Sequence, residues 1–119
     1  MVNVSMFLQD TKRDTPEGIW VKHPEEDYSI KARPLYPWKN SELRQQAAKN
    51  GQDDDLFNQL LADWIVEDWK GIFDESGKKV SCNPENKILL FENWTSFNLF
   101  VKETGLRLER QRREKEEKN

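Results

Sequence analysis

The stretch Leu56-Phe57-Asn58-Gln59-Leu60-Leu61-Ala62-Asp63-Trp64-Ile65-Val66-Glu67-Asp68-Trp69-Lys70-Gly71 decides how the rest of the chain is read. Phe57, Leu60, Leu61, Trp64 and Ile65 recur at helical spacing and form one apolar stripe. The spacing predicts a helix from Leu56 to Lys70, although Trp69 extends the stripe only approximately. Asp53-Asp54-Asp55 places carboxylates at the positive end of that helix's dipole. Gly71 stands where a helix closes in the left-handed region.

Downstream, Ile72-Phe73-Asp74-Glu75-Ser76-Gly77-Lys78-Lys79-Val80 has Asp, Ser and Gly between two apolar-flanked ends, the composition of a tight reverse turn or small hairpin. Asn83-Pro84-Glu85 then reads as a helix start, with Asn as cap and Pro in the first turn. A short helix carries Ile88, Leu89, Leu90 and Phe91. A last helix begins near Asn93, with Trp94, Phe97, Val101, Thr104 and Leu108 on one stripe. Gly105 weakens its middle by ~1 kcal/mol relative to Ala. Beyond Leu108 no apolar residue remains, so residues 109–119 read as a solvated tail of mixed charge.

Upstream, Gly18-Ile19-Trp20-Val21-Lys22 and Tyr28-Ser29-Ile30-Lys31-Ala32-Arg33 form two short strand-like runs. They flank the polar turn His23-Pro24-Glu25-Glu26-Asp27, the pattern of a β-hairpin. Pro34 and Pro37 end the second run in an extended link. Asn40 or Ser41 caps a mostly polar helix that stops at Asn50-Gly51. Residues 1–17 read as an extended arm. The fold class that follows is α+β: a mostly helical small domain over residues 18–108, with an N-terminal β-hairpin and a charged C-terminal helix.

Composition narrows the function. The 119 residues allow one domain. A net charge of −3 and a pI near 5.3 argue against nucleic acid as a partner. No apolar run approaches the ~20 residues that cross a bilayer, so no membrane partner is expected. No signal peptide is visible, and a single cysteine, Cys82, rules out an internal disulfide.

Catalytic chemistry finds little purchase. His23, the sole histidine, reads as an exposed turn residue without the partners a zinc site needs. Cys82 reads as an inert small hydrophobe. Asp63 and Glu67, four apart with Asp68 beside them, have the spacing of an acid–base or metal pair, but read better as the wet face of the main helix. Asp53-Asp54-Asp55 lacks the glycine and glutamate of a calcium loop. Arg107, Arg110, Arg112 and Arg113 are largely neutralised by Glu109, Glu114, Glu116 and Glu117. No catalytic, cofactor-binding or metal-binding residue is assigned, and a non-enzymatic protein-binding role is expected. Trp20, Trp38, Trp94, Phe97 and Phe100 are the candidate contact residues, since aromatics dominate protein-interface hot spots.

One stretch resembles the tail assembly chaperones of long-tailed bacteriophages. The pattern is Asp63-Trp64, then Trp69-x-Gly71-Ile72-x-Asp74-x-x-Gly77-Lys78-x-Val80, then Asn83-Pro84-Glu85-Asn86. Gly18-Ile19-Trp20-Val21 and Ile30-Lys31-Ala32-Arg33 resemble the front half of such proteins. Lys70 and Cys82 depart from the pattern, which commonly has an acidic and an aromatic residue there. The resemblance implies a protein made in the host bacterial cytoplasm. It would coat the tail tape measure protein, self-associate along it, yield to the tail tube protein and be missing from finished particles. The alternative is a structural tail or connector protein that stays in the virion.

Overall fold

The computed structural model describes residues 17–49, 51 and 53–117, so the N-terminal arm expected over residues 1–17 lies outside it but for Glu17. The hairpin forms as its alternation predicts. Strand β1 (Ile19–Lys22) pairs antiparallel with β2 (Ser29–Ala32), with Trp20 opposite Lys31 and Val21 opposite Ile30. Ile30 and Ala32 are buried while Ser29 and Lys31 on the alternate face are only partly covered, as a period of two requires.

Helix α1 (Pro37–Ala48) starts earlier than Asn40 or Ser41. Pro37 occupies its first turn, where the missing N–H costs nothing, and Tyr36 precedes it without a side-chain cap. Helix α2 (Asp54–Ile65) is capped by Asp53, whose carboxylate accepts from the N–H groups of Asp55 and Leu56.

The main correction concerns the end of that segment. Helix α2 stops at Ile65, and Val66–Lys70 is a strand, β3, paired antiparallel with β2 to give a three-stranded sheet of order β1-β2-β3. Ile30 sits opposite Trp69 and Ser29 opposite Lys70, with a bulge between Lys31 and Ala32. Val66 and Trp69 are buried and Asp68 and Lys70 exposed. Trp69 therefore reaches the core from a strand, which is why it fitted the helical stripe poorly. The exposed β2 backbone supplies the hydrogen bonds that a continued helix would otherwise have made internally. Gly71 does have φ +89°, but it closes a strand. A Cβ there would also lie 2.7 Å from the Asp27 carbonyl oxygen, so only glycine fits.

Helix α3 (Pro84–Asn93) is capped by Asn83, whose side-chain oxygen accepts from Asn86 N–H at 2.8 Å. Helix α4 (Thr95–Glu117) follows after a break at Trp94 and runs through the expected tail. The core lies where β2 and β3 meet α2, α3 and α4: Ile30, Ile65, Val66, Phe91, Phe97 and Val101 are essentially inaccessible. The Pro-rich link from Arg33 to Tyr36 threads between α2 and α4. Arg33 N–H donates to Ile65 O at 2.8 Å, Leu35 N–H to Gly105 O at 3.1 Å, and the Trp64 indole to Pro34 O at 3.0 Å.

Candidate protein-binding groove

Between β3 and α3 the chain makes a reverse turn that forms one wall of an open groove. Asp74 organises it: its carboxylate accepts from Ser76 Oγ at 2.7 Å, Ser76 N–H at 2.9 Å and Lys78 N–H at 3.0 Å. These donors, the Ser76 hydroxyl first, hold the Asp74 carboxyl below the usual carboxylate range, so it is charged at neutral pH. Gly77 supplies the positive φ at the tip, and Phe73 bridges to Lys79 across the turn. The Trp69 indole donates to Val80 O at 2.7 Å and ties the returning arm to the sheet. Asn83 then starts α3, which forms the opposite wall.

The groove so enclosed has a volume of about 600 Å³. Ile72, Val80, Leu90 and Trp94 contribute apolar surface, with Phe73 on the turn and Leu89 on α3. Phe73 is 55% exposed and Leu89 57%, although both are large apolar side chains. The charged side chains lining it, Asp74 and Glu75, are both acidic.

The five predicted contact residues are not gathered in one place. Trp94 lines the groove. Trp20, 44% exposed on β1, has the Lys70 ammonium 4.4 Å from its ring centroid. Trp38 is half-buried at the start of α1, stacked on Tyr36 at 5.7 Å. Phe97 and Phe100 are buried, Phe97 completely. They pack with Tyr28 and are spent on the core, so they offer no surface to a partner. Phe73, Leu89 and Leu90 were missed. The signal for α3 was available: Ile88-Leu89-Leu90-Phe91 are consecutive, and a helix cannot turn four successive side chains to one core.

Other sequence expectations are corrected or placed. His23 is buried, not an exposed turn residue. Its Nδ1 accepts from the N–H groups of Glu25 at 3.0 Å and Glu26 at 2.9 Å, and its ring lies 4.7 Å from that of Phe100. The imidazole organises the hairpin turn from inside. Asp63 and Glu67 do not share a helix. Asp63 pairs with Lys87 at 3.3 Å, whereas Glu67, on β3, meets Lys31 at 2.8 Å and Arg33 at 3.1 Å and accepts from Gly18 N–H. Each carboxylate is committed to a structural cation. Among the described residues, no group of three His, Cys, Asp or Glu side chains could hold a metal ion. None of the described helices is long and apolar enough to cross a membrane. Cys82 is half-buried, and burial pushes its thiol up to about 11. In α4, Arg112 and Arg113 pair with Glu109, itself buried, so the supposed tail is anchored at its first turn.

Residues 25–119 match the YdaY prophage protein family. The chain belongs to that family. The YdaY match runs from the hairpin turn through the last helix and so contains both walls of the groove. The chain is thus a phage protein of prophage origin. No curated protein matches it, and no solved structure does.

Proposed function

We propose that this YdaY-family protein is a tail assembly chaperone that acts by binding alone in the host bacterial cytoplasm. It covers the tail tape measure protein until the tail tube protein replaces it. The observation that carries this reading is the groove of Phe73, Leu89, Leu90 and Trp94, an exposed apolar surface on a small phage protein. Contiguous exposed apolar surface of this kind marks interaction sites. Some of the residues through which the sequence resembles tail assembly chaperones belong to the groove or support it: Gly71, Asp74 and Val80 line it, Trp69 and Gly77 shape the turn behind it, and Asn83-Pro84 start the helix of the other wall.

The physical need fits the tool. A long helical protein waiting for its tube exposes apolar faces that aggregate. Many small partners, each holding weakly and self-associating along it, cover it through avidity and can still be displaced.

The test is affinity capture of the full chain from prophage-induced cells, with mass spectrometry of the captured proteins and of purified particles. Recovery of a long helical tail protein, with this chain missing from particles, is the expected result. Stoichiometric presence in particles would overturn it in favour of a structural tail or connector protein.

A further inference from the structure

The groove's geometry and charge select what lies in it. Its lining residues Asn86, Leu89 and Leu90 on α3 and Trp94 just past the helix end follow three-, one- and four-residue steps, and span ~12 Å at ~1.5 Å per residue. That length matches about two turns of a partner helix. Phe73 on one rim and Leu89 on the other leave an open trough between them, the form that receives an apolar stripe read as i, i+3/i+4, i+7 anchors. Among the described residues no cation lines the groove; Lys78 and Lys79 stand exposed on the returning arm of the same turn, outside the lining. Asp74 and Glu75 stand together at the turn end, and Asp74 is fixed there by its three hydrogen bonds while Glu75 is exposed.

We infer that the groove binds an amphipathic helix of a partner protein whose apolar stripe is flanked by lysine or arginine where it meets Asp74 and Glu75. The inference deepens the chaperone reading and rests on it for the partner's biological identity. Apolar contact supplies the hold, and the acidic end sets the direction in which the helix lies. A helix with acidic flanks binds less tightly, because like charges would face each other at the rim.

The probes are two synthetic amphipathic helices sharing one leucine stripe, one flanked by lysines and the other by glutamates. Each is titrated into the isotopically labelled full chain and followed by NMR. The lysine helix is expected to move the signals of Phe73, Leu89 and the Trp94 indole, to bind about tenfold more tightly than the glutamate helix, and to weaken with added salt. Leu89→Ser and Phe73→Ser, both at exposed positions that leave the core intact, are each expected to weaken it about tenfold. Glu75→Lys is expected to erode the charge preference while leaving the apolar contribution. No binding, shifts centred elsewhere, or equal affinity for both helices would overturn the inference. So would shifts at these residues on concentrating the chain alone, which would give the groove to a second copy.

The two readings fail separately. Capture of a long tail protein by the wild-type chain and equally by Leu89→Ser would sink the groove assignment and leave the chaperone standing. Selective binding of the lysine helix, with no tail protein captured from cells, would do the reverse.

Discussion

Gly105 backs directly onto Ile65: a Cβ at Gly105 would lie 2.8 Å from Ile65 Cδ1 and 3.1 Å from its Cγ1. By helix propensity alone, replacing a mid-helix glycine with a larger residue should stabilise α4 by up to ~1 kcal/mol. Ile65 is completely buried, so its side chain has little room to withdraw. Gly105→Val is therefore expected to destabilise the protein by about 1–3 kcal/mol, as overpacking of a core does. Urea unfolding followed by tryptophan fluorescence measures this, and a rise in the midpoint would refute the contact.

His23 predicts a second loss. Removing its ring by His23→Ala strips the acceptor from two backbone N–H groups and leaves a gap beside Phe100 and Tyr28. The expected cost is roughly 2–4 kcal/mol. His23→Asn can restore an acceptor to the turn, because asparagine side chains bond to backbone N–H groups just ahead of them. It should cost less than alanine in the same urea titration.

Glu67 predicts the shape of the acid limb. Its carboxyl is held below the usual carboxylate range, first by the Lys31 ammonium and then by Gly18 N–H. The unfolded chain therefore takes up this proton before the folded one does. The contribution to stability is present above the ordinary carboxylate range and fades as pH falls through the depressed value. Glu67→Gln should lower the thermal midpoint at neutral pH, modestly because the pair is partly solvated. The difference from wild type should close at low pH. Lys31, raised chiefly by its hydrogen bonds to Glu17 and then Glu67, loses its share only at strongly alkaline pH.

Cys82 predicts a sluggish thiol. Burial raises it to about 11, opposed in part by Lys87. Against an ordinary free cysteine, that shift cuts the thiolate fraction near neutral pH on the order of 100-fold. Labelling by a thiol reagent should be slower by about that factor in the folded chain than in urea, and Cys82→Ala should leave partner binding intact. Fast labelling of the folded protein would contradict the burial.

Much of this architecture was legible in the residues. The hairpin alternation, the Asp53 and Asn83 caps and the Asp74–Gly77 turn are set by neighbours within a few positions, so local chemistry is enough to read them. Val66–Lys70 was not. Its apolar residues continue a helical stripe tolerably well, and what makes it a strand is the open edge of β2, nearly forty residues earlier in the chain. His23 was misread for a related reason: a histidine before proline in a polar loop looks exposed until α4 is laid across it. Of the candidate contact aromatics, Phe97 and Phe100 fell to the core because one α4 stripe meets both Tyr28 and Trp69. Local pattern could not divide aromatics between inside and outside.

The junction of α2 and β3 has a consequence for how this chain can change length. Ile65 ends the helix, Val66 begins the strand, and both are completely buried with no loop between them. One residue added there would rotate the helix by ~100° against the sheet or exchange the two faces of the strand. Neither displacement has slack to absorb it. Insertions and deletions among related chains should spare this joint and collect in connections such as the one at Gly51, whose surroundings are open. The junction is a phase lock between two periodicities, and at this point the fold depends on spacing as much as on which residues fill it.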